Sequence, residues 1–281
     1  MNSIKELRQR CQYTKVGGDY IFHRLIYRKI SIYLTKVLIK TPITANQVTI
    51  ISIFVGLTGG LFLALGKSSF YLIGALLYNF SVVLDVVDGE IARYRGTSGM
   101  RGQYLDLLAH YFISASIFAC LSFSLYKDLG NIYIIIFGFT AAISTVIAKT
   151  SVALVYHSAG MKRRGFFDIS GNRQNFSKNR KTNSGIKQSI HKKTFSIERF
   201  YRKFIEELFC DLLIIMNLLI FAVLNIFLPP LRIFSYQLKF ITIFFLFYGI
   251  FLPFDMIKKI IYTIYSDRFS IIYDELFKKD R

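Results

Sequence analysis

Apolar residues fill six stretches of the chain, 43–66, 68–87, 103–126, 129–157, 208–229 and 235–264. Each is about 20 residues or longer, which is enough for a helix to cross a bilayer. No charge interrupts 43–66, and 68–87 carries only Asp85, near its end. The bilayer core offers backbone groups no water to bond, so the pattern predicts helices. The alternation over about ten residues that marks a membrane-spanning β-barrel is absent. The last stretch is long enough to overrun the membrane or to break at Pro253. Upstream, residues 19–40 mix apolar and basic positions at helical spacing, which predicts an amphipathic helix lying along the membrane surface. The expected architecture is an all-α integral membrane protein. An N-terminal segment, 1–40, carries the juxtamembrane surface helix, and a membrane domain, 41–281, carries six transmembrane helices.

Composition agrees with this and adds an orientation. Of the 281 residues, 53% are hydrophobic and 19% charged, below the roughly 25% charged of a soluble globular protein. A disordered chain, a coiled-coil rod and a disulfide-stapled miniprotein are thereby excluded. Lysine and arginine number 36 against 17 acidic residues, a formal charge of +19. All of them except Lys67, Lys127, Lys149, Arg232 and Lys239 lie in 1–40, 88–102, 158–207 and 258–281. By the positive-inside rule these segments are cytosolic, so both termini face the cytosol of a cell inner or plasma membrane. An even number of spans agrees. The basic loop at about 158–207 is rich in Lys, Arg, Asn, Ser and Gly over 160–195. A loop tethered at both ends to a bilayer meets anionic lipid headgroups before it meets nucleic acid, and membrane lipids are its expected partners. The first 40 residues lack the short apolar core and small-residue cleavage site of a secretory leader. Cys11, Cys120 and Cys210 form no CxxC or Cys/His cluster, and reduced thiols are expected.

Chemistry concentrates in 84–111, LDVVDGEIARYRGTSGMRGQYLDLLAHY. Asp85 and Asp88 are three apart and share a helix face, and Gly89 and Ala92 continue that stripe with almost no side chain. Arg93 follows, then a short basic loop with Gly96 and Gly99. Gly102, Asp106 and His110 are four apart and stack on the next helix. Two neighbouring helices thus aim carboxylates at each other near the cytosolic surface. A carboxylate in a span is unfavourable by about 2.5–3.5 kcal/mol on translocon scales, so it is expected to face water, a partner or a metal. Three carboxylates repel unless a positive charge lies between them. Oxygen ligands at close quarters suit Mg²⁺ or Mn²⁺, ions that bind phosphates and in pairs stabilise an in-line phosphoryl displacement. Arg93, Arg95 and Arg101 add cationic charge beside the site. Salt bridges pinning the two helices together are the bland alternative.

This stretch resembles the signature of the CDP-alcohol phosphotransferase (CDP-alcohol phosphatidyltransferase) family, D-x2-D-G-x2-A-R-x8-G-x3-D-x3-D. Asp85, Asp88, Gly89, Ala92, Arg93, Gly102 and Asp106 match seven of its eight positions at the right spacing. The TPITANQVT stretch at 41–49 is similar to the family's entry to its first span, with Ala45 where a proline is usual. The resemblance implies transfer of a phosphoryl-alcohol group from a CDP-alcohol to the hydroxyl of a second alcohol, with release of CMP. It implies two divalent metals, Mg²⁺ or Mn²⁺, held by Asp85, Asp88 and Asp106. It implies a nucleotide pocket lined by Asp85, Gly89, Ala92, Arg93 and Gly102, and a homodimer. The eighth position departs from the family. Its last aspartate is the proposed base for the acceptor hydroxyl, and His110 stands there. An imidazole can also take a proton, so His110 is the expected catalytic base. Ligation of a metal by His110, or loss of activity, are the alternatives.

Lys149, in IAKTSVALV, is the one Lys or Arg well inside a predicted span. A membrane lysine usually faces a cavity or an anion, and snorkelling to the headgroups is its bland reading. Lys149 is expected to bind an anionic part of the acceptor, such as an inositol-phosphate-like group; family members using phosphorylated acceptors place basic residues in such a pocket. Asn46 and Thr49 fit either the mouth of the site or a helix start. Glu206, Glu207 and Asp211 begin the fifth span, and Asp255 follows Pro253 near Lys258 and Lys259. Two other readings remain: a catalytically degenerate member that binds nucleotide or lipid or scaffolds a complex, and a transporter. A transporter would spread its charges across the bilayer, whereas here they gather near one face.

Overall fold

The computed structural model describes residues 3–12, 23–163, 210–233 and 236–265. Helix α1 is Ile4–Cys11, and a π-helical turn, His23–Tyr27, leads into α2, Arg28–Leu38. Then come α3 (Ala45–Ala64), α4 (Ser68–Arg95), α5 (Met100–Leu129), α6 (Tyr133–Arg163), α7 (Asp211–Phe227) and α8 (Phe240–Tyr265). One antiparallel ribbon, β1 (Leu231–Ile233) against β2 (Tyr236–Leu238), pairs Leu231 with Leu238. The described chain is otherwise helical. It divides into two compact units, Met1–Ile147 with Phe209–Met256, and Ala148–Leu208 with Ile257–Arg281.

Among the described residues, five helices are long and apolar enough to cross a membrane: Ala45–Ala64, Ser68–Arg95, Met100–Leu129, Tyr133–Ser151 and Phe240–Tyr265. The stretch expected to span at 208–229 forms α7, whose apolar part, Leu212–Phe227, is shorter than the other five. α4 does not stop where its hydropathy does. It runs on through Asp85, Asp88 and Arg93 to Gly96, whose left-handed backbone (φ 67°) ends it. Thr97 N–H then bonds Ala92 C=O at 2.9 Å and Gly96 N–H bonds Arg93 C=O at 3.4 Å, the closure typical of a glycine-terminated helix. α8 likewise passes through Pro253 without interruption. The amphipathic helix expected over 19–40 is helical from His23 to Leu38, and 19–22 lie outside the described residues. So do Glu206, Glu207 and nearly all of the basic loop; Asp211 opens α7, and Asp255 is buried in α8.

Within the first unit α4 is the central helix. It packs on α1, α2, α3 and α7, and its span is the most buried of the five. Helices in lipid gain little from hydrophobicity and approach closely through small residues instead. A Cβ added to Gly74 of α4 would lie 2.7 Å from the carbonyl oxygen of Gly59 on α3. Between α5 and α6, a Cβ at Gly138 would meet Ser122. Polar pairs join α4 to α5: Tyr78 with Ser116 at 2.7 Å and Tyr71 with Ser124 at 2.5 Å. An aromatic cluster ties α5, α7 and α8 together, with Phe118 stacked on Phe244 at 6.2 Å and Phe221 tilted against Phe244 at 5.8 Å. The three cysteines are free thiols.

Candidate active site

α4 and α5 are joined by the short loop 96–99, so the end of one helix lies beside the start of the next. Asp85 on α4 and Asp106 and His110 on α5 meet there, each offering a ligand atom within 4.8 Å of the others. His110 Nε2 is 3.4 Å from Asp106 Oδ1, one helical turn away on the same face. Their side chains are 41% and 51% exposed, so the cluster is open to solutes. Two carboxylates and an imidazole at this spacing are a donor set that fits a hard or borderline divalent cation.

Asp88 does not join that trio. It is 8% exposed, and its Oδ2 accepts a hydrogen bond from Thr49 Oγ1 of α3 at 2.5 Å. Its carboxyl still lies within electrostatic reach of both Asp85 and Asp106. Thr49 thus holds Asp88 in place. The start of α3 is made instead by Thr44, whose Oγ accepts from Gln47 N–H at 3.3 Å while Gln47 Oε1 accepts from Thr44 N–H at 2.8 Å. Asn46 sits beside Gly102, where an added Cβ would come 3.5 Å from Asn46 Oδ1.

The arginines divide their work. Helical side chains lean toward the N-terminus, and Arg93 folds back across Gly89. A Cβ at Gly89 would stand 3.2 Å from Arg93 Nη1, so the glycine makes room for the guanidinium. Arg93 Nε donates to the Cys11 carbonyl at 2.5 Å. Arg95, expected to add charge beside the site, is committed elsewhere. It donates to the carbonyls of Ile43 at 2.5 Å and Thr41 at 2.6 Å, pinning the 39–44 linker to α4. Arg101 is exposed. Ala92 is half-buried on α4. Lys149 lies on α6 in the second unit and is half-buried.

Glu90 escaped the sequence reading. It is fully buried and accepts from Gln12 Nε2 and Ser31 Oγ at 2.7 Å and from Thr35 Oγ1 at 2.6 Å. Its signal was available: a third carboxylate on α4, two residues past Asp88 and followed at once by Ile91, in a helix otherwise bound for burial.

The geometry is that of a helical protein with apolar helices long enough to cross a membrane and an acidic cluster between two adjacent helices. Residues 42–170 match the model of the CDP-alcohol phosphatidyltransferase family. The chain is similar to two proteins described as a bifunctional IPC transferase and DIPP synthase. The one from Archaeoglobus fulgidus is 37% identical over 101 residues, 35% of this chain and 19% of that protein. The one from Thermococcus kodakarensis is 30% identical over 123 residues, 43% of this chain and 27% of that protein. The similarity therefore spans about a fifth to a quarter of each relative's length. The family match and the long apolar helices together support an integral membrane protein with a segment similar to CDP-alcohol phosphatidyltransferases.

Proposed function

We propose that the protein transfers a phosphoryl-alcohol group from a CDP-alcohol to an acceptor hydroxyl, forming a phosphodiester and releasing CMP. The observation that carries this reading is the meeting of Asp85, Asp106 and His110 within 4.8 Å, inside the segment that matches the family. Asp85, Asp88 and Asp106 are the residues to hold two divalent cations. Mg²⁺ or Mn²⁺ there would neutralise the donor's diphosphate and stabilise the oxygens of the displacement. Thr49 keeps Asp88 oriented, and Gly89, Ala92 and Gly102 leave room for the nucleotide. Arg93 supplies a fixed cation beside the phosphates, and CMP leaves once the acceptor oxygen has bonded to phosphorus. His110 takes the proton of the acceptor hydroxyl, with Asp106 beside its Nε2 to orient it. The same proximity supports a second role for His110, as a metal ligand.

The orientation follows from charge. CDP-alcohols are cytosolic, the sequence segment that carries the site is itself basic at Arg93, Arg95 and Arg101, and α7 serves as a sixth, shorter span. Its 17 residues reach roughly 25 Å at 1.5 Å per residue. α2 lies along the cytosolic surface, with Ile30, Tyr33 and Val37 exposed and Lys29, Lys36 and Lys40 to meet anionic headgroups. The working form is a homodimer.

The test is CMP release by the purified protein, screening CDP-alcohols against acceptor pools with Mg²⁺ or Mn²⁺. CMP should form only when donor, acceptor and metal are all present, and chelation should stop it. Metal-dependent binding of CDP without turnover for any pair would instead mark a catalytically silent family member. Alcohols carrying an anionic group, such as inositol-phosphate-like ones, are the first acceptors to try. Lys149 would meet their phosphate. Lys149→Ala should then raise the acceptor KM by about 10-fold or more, the loss of one charge-assisted contact, with the donor KM unchanged. An unaltered acceptor KM removes Lys149 from this role.

A further inference from the structure

We propose that Glu90 is a positioning residue of the site: it latches α1 and α2, which precede the family-matched segment, onto α4, so that the end of α1 holds Arg93 across Gly89. The proposal rests on the reading of the site just given.

Glu90 sits between Gly89 and Ile91 on the motif helix and is 0% exposed. Both of its oxygens are engaged, and among the described residues the donors come from the N-terminal segment: Gln12 and Ser31 to Oε1, Thr35 to Oε2. Gln12 is the hub. Its amide also donates to the Arg28 carbonyl at 2.9 Å, while Arg28 Nη1 donates to the Gln12 carbonyl at 3.1 Å. The end of α1 and the beginning of α2 are therefore stitched to each other and to one carboxylate. One residue before this hub, the Cys11 carbonyl receives Arg93 Nε, and the Arg10 guanidinium lies 4.7 Å from the Tyr94 ring centroid. A cation at the C-terminal end of a helix is favourably placed, so α1 and Arg93 stabilise each other's position. The packed side of α2 carries Ser31 and Thr35 beside the buried Ile32, and its exposed side carries Ile30, Tyr33 and Val37.

An apolar side chain at position 90 could hold α2 with no desolvation penalty. A buried carboxylate with all its acceptors filled does something an apolar contact does not: it admits one register between the helices it joins. That register decides where the Cys11 carbonyl lies, and the carbonyl decides where the Arg93 guanidinium points. Arg93 in turn lies within electrostatic reach of Asp88. The latch thus acts on the nucleotide end of the site through Arg93.

The experiment uses the full chain and two readouts. The first is maleimide labelling, with mass spectrometry of the peptides carrying Cys11 and Cys120. Cys11 is fully buried, and burial, with Glu90 nearby, holds its thiol above the usual range, so it should react slowly in the native protein. Glu90→Ala should speed Cys11 labelling by about 10-fold or more by local opening, with Cys120 in the bundle unchanged. Glu90→Gln should label near the native rate, because its amide can serve Ser31 and Gln12 through oxygen and Thr35 through nitrogen. Gln12→Ala, which removes one arm outside the bundle, should give an intermediate rate and serves if Glu90→Ala does not insert. The second readout is the Kd for CDP with Mn²⁺, in Glu90→Ala, Arg93→Ala and the double variant. Each single change should weaken binding, and the double should be no weaker than Arg93→Ala alone. Equal Cys11 labelling in native and Glu90→Ala proteins, or multiplicative losses in the double variant, overturns the latch. If the native protein binds no CDP, the transferase reading fails, and the labelling alone then judges whether the latch exists.

Discussion

Asp106→Asn and Asp85→Asn should each lower CMP release by on the order of 10²–10³-fold, the loss typical of removing one preorganised electrostatic group. Asparagine keeps the size and one acceptor oxygen of aspartate but not the charge. In this cluster charge is what matters, because the ligand atoms of Asp85 and Asp106 come within 4.8 Å of each other. Two carboxylates at that distance repel by roughly 1–3 kcal/mol once the solvent screening of the half-exposed Asp106 is allowed for. A cation held between them would relieve that repulsion. The same variants should therefore show a sign reversal in stability. Without divalent metal, Asp106→Asn should raise Tm by a few degrees over the native protein, because a repulsion is gone. With saturating Mn²⁺ the native protein should be the more stable of the two, since ligand binding stabilises only the protein that binds. Native-like turnover in both variants would take the cluster out of the chemistry. A loss of turnover without the reversal would leave it as a structural charge network.

How much of this was legible in the sequence depends on how far apart the partners lie. Asp85, Asp88, Asp106 and His110 are ordered by helical spacing within one short segment, so their two helix faces could be read directly. Spacing does not say which neighbour a face meets. Asp85 and Asp88, three apart, differ by about 60° around a helix of 3.6 residues per turn. That difference sends Asp85 to α5 and Asp88 to Thr49 on α3. Thr49 could be read only as one of several polar residues at a helix start, because its partner is 39 positions away. Glu90 is harder still. Its donors lie 78, 59 and 55 positions upstream, too far for helical spacing to relate them to it. Arg95 went astray for a related reason. Its partners are backbone carbonyls, which leave no mark in the residue pattern. Hydropathy located the lipid-compatible stretches but not the helix ends. α4 runs past Val87 to Arg95 because helical hydrogen bonding continues after apolarity stops, and α8 keeps its helix through Pro253, as helices packed in membranes can.

The departure at position 110 gives the second large effect. His110→Ala should lower turnover by about 10²–10⁴-fold, the usual contribution of a positioned general base. His110 stands one turn along α5 from Asp106, with Nε2 3.4 Å from Oδ1. Alanine leaves Asp85, Asp88 and Asp106 in place, so the acidic set survives. If His110 works as the base, Mn²⁺ affinity and metal-dependent CDP binding should stay within about 3-fold of native, because only the chemical step has lost a group. The side chain is 41% exposed, so a small solute can enter the space it leaves. Added imidazole should then restore part of the turnover, in proportion to its concentration, while adding nothing to the native enzyme. If His110 instead ligates a metal, Mn²⁺ affinity should fall with turnover by at least about 10-fold, and excess Mn²⁺ rather than imidazole should recover activity. His110→Asp rebuilds the family pattern and should retain more turnover than His110→Ala under either role, because a carboxylate can both take a proton and bind a cation. Undiminished CMP release by His110→Ala would exclude both roles and leave the acceptor's proton to water or to a neighbouring aspartate.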